Sequence, residues 1–168
     1  MACRGVHFAI EPEIVSRLKA AGSNDELLAV VSEVEELWQK EWLCATAKAW
    51  DAIHRCLTGG SMETRPQPYP LALAVLGGEQ LYRPESEHWQ NYFVCLVEAG
   101  KVPDVARAME ALSQEDMRRR YFALDPQQYD GPMGEEDWQY TWAYFAKLRS
   151  FYRKAADSAR AVVFTVDQ

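Results

Sequence analysis

The groups best suited to chemistry in this chain lie between Lys48 and Gly59. An amine (Lys48), an indole (Trp50), a carboxylate (Asp51), an imidazole (His54) and a hydroxyl (Thr58) follow one another there, ending at Gly59. Asp51 and His54 are three apart and Trp50 and His54 four, so on a helix they share one edge. A carboxylate beside an imidazole fixes its tautomer or raises its pKa, as a proton-transfer group requires. On that reading His54 transfers a proton or holds a ligand, with Asp51 orienting it and Trp50 as a wall. The competing reading makes His54 a half-buried helix residue whose ring bonds a neighbouring loop. The second has the better support, because one helix supplies one candidate and no second catalytic group stands out. Burial should then outweigh the helix end and the carboxylate and keep the ring neutral at pH 7. The candidate ligand-binding set is therefore Lys48, Trp50, Asp51, His54, Thr58 and Gly59.

A helix must carry these groups. Leu43, Trp50, Ile53 and Leu57 recur at helical spacing, widened by Ala49 and Cys56, and should face a core. Asp51 and Arg55 stand four apart with the carboxylate first, the better order for a helix ion pair. Gly59 and Gly60 suit a left-handed C-terminal cap.

The run Lys48-x-Trp50-Asp51-x-Ile53-His54-x-x-Leu57-Thr58-Gly59 resembles the motif of the YfbM-like family of bacterial proteins of unknown function. Leu71 to Leu81 resembles the glycine-containing segment that follows in that family. Phe151-Tyr152-x-x-Ala155-Ala156 and Ala161-Val162-Val163-Phe164 resemble its closing helix and strand. The resemblance spans most of the chain, and the first motif is its specific part. Ala47 departs from it, standing where the family usually has Asp. The resemblance implies three layers, with helices on both sides of a mixed sheet, and no particular activity.

Composition narrows the function classes. The 168 residues suit one domain over 1–168, with 48% hydrophobic residues, enough for a core. Six Trp, eight Tyr and six Phe suit a large packed core or a ring-lined groove. A net charge of −7 argues against a nucleic-acid partner. Cys3, Cys44, Cys56 and Cys95 form no C-x-x-C pair and no metal box, and read as reduced, buried thiols. With no signal peptide and no membrane-length apolar run, a cytoplasmic location is expected. No G-x-G-x-x-G, Walker pattern or nucleophile elbow occurs, so neither a cofactor nor a metal is expected.

Along the chain, Gly5–Ile10, Asn91–Val97 and Arg160–Val166 read as strands. All three are too apolar for a water-exposed edge and should share one sheet. Helices are expected from Pro12, from Asn24 with Leu27, Val30, Val31, Val34 and Leu37-Trp38 inward, and from Val102 to about Leu112. Ser113 to Asp116 is a weak capping box opening a further helix, whose Arg118–Arg120 run reads as a solvated face. The last long helix opens at Glu135 with Trp138, Phe145, Leu148 and Ala155 on its stripe. Trp42 and Leu43 lead into the central helix, the prolines of Thr64–Pro70 form a pocket rim, and Leu124–Gly134 is a lid or insertion. His7 reads as a strand histidine, opposite in direction to Val6 and Phe8 and bonded to backbone.

These elements specify a helix-rich, single α/β domain with a small mixed sheet of roughly three to five strands. Two functions fit. One is a non-enzymatic binding or protein-interaction domain. The other is a small-molecule or enzymatic site around His54. A filled core around His54 favours the first, and a pocket reaching its ring favours the second.

Overall fold

The computed structural model describes residues 3–37, 39–62, 68–83 and 92–167. Five strands form one sheet: β1 (Gly5–Ile10), β2 (Leu43–Ala47), β3 (Glu79–Gln80), β4 (Tyr92–Val97) and β5 (Ala161–Asp167), in the order β2-β1-β5-β4-β3. The three strands read from continuous hydrophobicity, β1, β5 and β4, are the central three. Each is covered on both faces, which is why none shows a polar alternation.

Every neighbouring pair is antiparallel, so the sheet is not mixed. The resemblance implied a mixed sheet, and a helix does follow within a few residues of both β1 and β4. Neither connection closes as a one-helix crossover, the unit that makes strands parallel. Two helices, α1 (Pro12–Ala20) and α2 (Asn24–Leu37), separate β1 from β2. Three, α4 (Val102–Glu110), α5 (Gln114–Phe122) and α6 (Glu135–Asp157), separate β4 from β5.

The period of two along the strands sorts the core into two layers. Phe8, Ile10, Val94, Leu96, Ala161 and Val163 face α1 and α2, where they meet Leu18, Leu27, Val30 and Val31. Ala9, Cys95, Val97, Val162, Phe164 and Val166 face the opposite side, against α3 (Ala49–Thr58), α4, α5 and α6. The result is helix, sheet, helix. The larger layer holds the aromatic stripe of α6, with Trp138, Phe145, Phe151 and Tyr152 all buried. Half of the aromatic side chains among the described residues are buried in the core.

Local signals account for several helix ends. Pro12 sits in the first turn of α1, and Ser23 caps α2 by accepting from the Glu26 amide at 3.2 Å. The capping box at Ser113 and Asp116 is complete in both directions. The arginine run is engaged: Arg118 pairs with Glu135, Arg119 with Asp116, and Arg120 donates to the Cys56 carbonyl. Two expectations need correction. Leu43 does not extend the helical stripe of α3 but opens β2, after a single 3-10 turn at Lys40–Trp42. Leu37 ends α2 facing solvent at 66% exposure, where the stripe predicted burial; Trp38 lies outside the described residues. The loop expected over Thr64–Pro70 lies outside them as far as residue 67. Among the described residues no helix is long and apolar enough to cross a membrane.

Candidate functional site

Helix α3 follows β2 after one exposed residue, Lys48, and seven of its ten residues are buried. It lies against α6, α5 and the 3-10 turn Leu71–Ala74. The apolar stripe read from Trp50, Ile53 and Leu57 is what drives it there, each of the three being at most 5% exposed. The candidate residues are then distributed by the helix geometry. Rising about 1.5 Å per residue, α3 separates Lys48 and Trp50 from Thr58 and Gly59 by roughly its own length of 15 Å.

At the N-terminal end, the indole of Trp50 packs against Phe164 with ring centroids 5.9 Å apart. Its Nε1–H donates to the Cys3 carbonyl at 3.3 Å. Gly5 makes room for this: a Cβ there would lie 2.9 Å from the Trp50 ring. In the middle, His54 is fully buried. At the C-terminal end, Thr58 Oγ1 lies 2.8 Å from the His54 carbonyl and 2.6 Å from that of Ser61, tying the loop back onto the helix. Gly59 closes α3 in the left-handed region at φ 72, its N–H donating to the Arg55 carbonyl, as the double glycine predicted. Asp51 and Arg55 form the expected ion pair at 2.6 Å, and Arg55 Nη1 donates also to the Gly60 carbonyl at 3.2 Å.

Of the six candidates, Gly59 lines a cavity. This cavity, about 360 Å³, is walled by Arg55, Gly60, Ser61, Asp125 and Tyr129 among others. Behind it stands a polar network. Tyr121 and Tyr129 both donate to one carboxylate oxygen of Asp137, at 2.5 and 2.8 Å. Burial, reinforced by Asp137, raises the pKa of both phenols well above the usual range, so they remain protonated donors. The segment Asp125–Tyr129 is a turn rather than an open lid. The Gln128 and Tyr129 amides donate to the Asp125 carbonyl at 3.0 Å, and the Gln127 amide to its side chain at 2.9 Å. Arg55, Tyr121, Tyr129 and Asp137 were not among the sequence candidates. Asp125-Pro126 was the available signal for a turn here, but nothing local tied it to Arg55. The cavity offers a guanidinium, a hydroxyl and a carboxylate, suited to holding a small polar molecule by hydrogen bonds.

His7 shares the layer that holds α3. It points away from Val6 and Phe8, as alternation requires, and is fully buried against Phe164, Phe151 and Tyr152. Its Nε2–H donates to the Ala74 carbonyl at 2.9 Å. Burial lowers its pKa from 6.5 to about 4, against the backbone carbonyls of Ala74 and Cys44, which favour the proton. The same apolar surroundings push up the thiols of Cys44 to about 11 and of Cys56 and Cys95 to about 12.

The architecture is similar to that of a protein of unknown function, YfbM from Escherichia coli, whose crystal structure aligns with a TM-score of 0.69. That likeness covers 97% of this chain and 99% of the other at 20% identity, and concerns the fold. No curated protein matches the chain. Residues 1–165 match the family described as a domain of unknown function, DUF1877, and the chain belongs to that YfbM-like family.

Proposed function

We propose that this protein is a non-enzymatic binding domain that docks onto another protein. One observation carries the reading: His54 and Trp50, the most reactive and the largest groups of the family-like motif, lie at 0% and 5% exposure within filled core. A proton-transfer group must come within hydrogen-bond reach of its substrate, and a ring sealed between helix and sheet serves packing instead. The motif then marks a folding element, leaving recognition to the surface. A cytoplasmic location goes with this reading, since four free cysteines suit a reducing compartment. The net charge of −7 favours a protein over a nucleic acid as partner.

A second reading is favoured by the cavity at the end of α3, where a small polar molecule would meet Arg55, Ser61, Asp125 and Tyr129. Mass spectrometry of denatured, freshly purified protein separates the two. The interaction reading expects no stoichiometric metabolite, and expects photo-crosslinkers on the surface to trap one defined protein in cells. A metabolite released by the wild type and absent from Arg55→Met overturns it in favour of the small-molecule reading.

A further inference from the structure

The two edges of the sheet are unlike. β3 is two residues long, the usual blunt ending of an edge. β2 is five residues long, and its sequence, Leu-Cys-Ala-Thr-Ala, contains no proline and no charge. Among the described residues it pairs with β1 alone. Its register is regular from Leu43 to Ala45, with the one irregularity at the Gly5 end. An unguarded edge presents a row of backbone donors and acceptors that can take another strand.

Beside this edge runs an open groove of about 730 Å³ between β2 and α6, lined by Leu43, Ala45, Tyr144, Lys147 and Phe151 among others. The charged residue of its lining, Lys147, is basic, and two further cations stand near its Tyr144 wall. Arg4, Lys48 and Lys147 are exposed, and none forms an ion pair with a described residue. Lys147 Nζ lies 5.1 Å from the Tyr144 ring, and Tyr144 packs edge-on against Tyr140 at 4.8 Å. Tyr140 in turn lies beside Arg4 and the Lys48 backbone. A protein of net charge −7 thus places three cations that form no ion pair among the described residues, and two tyrosines, around the longer edge of the sheet.

We propose that β2 docks an extended acidic segment of a partner protein as a sixth strand, its carboxylates meeting Lys147, Lys48 and Arg4. This rests on the interaction reading and names its surface. Backbone pairing would supply affinity, the groove would take alternate side chains, and the cations would set the sign of the partner. A second copy of this chain is the poorer occupant, because β2 against β2 would bring the same cations face to face.

The test is selection of peptides from a display library on the intact protein, followed by amide hydrogen exchange with the best peptides. The expected result is enrichment of extended sequences in which Asp or Glu alternates with apolar residues, with slowed exchange across Leu43–Ala47. The doubly reversed variant Lys48→Glu, Lys147→Glu changes two exposed positions and should weaken binding by about tenfold or more. Peptides that are not acidic, or that protect another surface, overturn the β2 assignment and leave the interaction reading standing. Concentration-dependent dimerisation with protection of β2 overturns the proposed occupant in favour of a second copy. No enrichment overturns the docking of an extended segment, and if a bound metabolite is found as well, the interaction reading falls with it.

Discussion

His7 and Tyr152 donate to the same acceptor: the imidazole Nε2–H and the phenol O–H both reach the Ala74 carbonyl, at 2.9 and 3.0 Å. The shared carbonyl belongs to a 3-10 turn, His7 to the second strand of the sheet and Tyr152 to the longest helix. Three elements distant in sequence are thus fixed by two fully buried bonds. The arrangement needs a neutral ring: Nε2 carries the proton, and a second proton would put a charge among Phe151, Tyr152 and Phe164.

This sets the acid response of the fold. The folded pKa of His7, about 4, lies below the unfolded value of 6.5, so the unfolded state binds the proton more readily. The contribution is fully present above pH 6.5, shrinks as pH falls toward 4, and changes no further below that. Its size is about 3 kcal/mol. Urea midpoints between pH 7.5 and 4 should fall steeply in the wild type and less steeply in His7→Gln. Parallel curves would reject His7 as the source.

Trp50 gives a prediction of magnitude. With its ring on Phe164 and its N–H on the Cys3 carbonyl, Trp50→Ala should cost about 3–5 kcal/mol, by removing a large buried side chain. An unchanged urea midpoint would remove Trp50 from the core and return it to a binding role.

The central strands and the C-cap of α3 were legible in the sequence because each rests on a local pattern, continuous β-branched runs and a double glycine, whereas the two-sided helix cover was implied by the family resemblance alone. β2 was not. Leu43 falls seven residues before Trp50, a helical spacing, and a five-residue strand of small residues has no periodicity strong enough to compete. Pairing with β1 decides it, and that contact is visible only in three dimensions. The cavity was missed for a similar reason. It joins Arg55 to Asp125 and Tyr129, about seventy residues away, and the sequence holds no record of that distance. The buried state of His54 was read correctly from its place beside the stripe, though full burial exceeds the half-burial expected.

The cysteines should react in a fixed order. Cys3 is half-buried, while Cys44, Cys56 and Cys95 are buried with thiol pKa values pushed to about 11–12. Thiolate is the reacting form, so at pH 8 native protein should take up one equivalent of iodoacetamide, at Cys3, and four in urea. Rapid native labelling of Cys44 would instead show that β2 opens readily.

Ala47 carries the last prediction. Its backbone is left-handed at φ 46, joining the end of β2 to Lys48 and the start of α3, and the motif that this run resembles has Asp in its place. A left-handed conformation costs an ordinary L-residue about 1–2 kcal/mol, and Asp and Asn tolerate it best because their short side chains bond locally. The structure also has no side-chain cap on α3. An Asp or Asn here would thus have a conformational advantage independent of any site. Ala47→Asn and Ala47→Asp should each raise stability by about 1 kcal/mol, read as matching shifts in the urea midpoint at constant slope. A gain from Asp alone would assign the effect to negative charge near the helix N-terminus. No gain from either would reject backbone strain at Ala47.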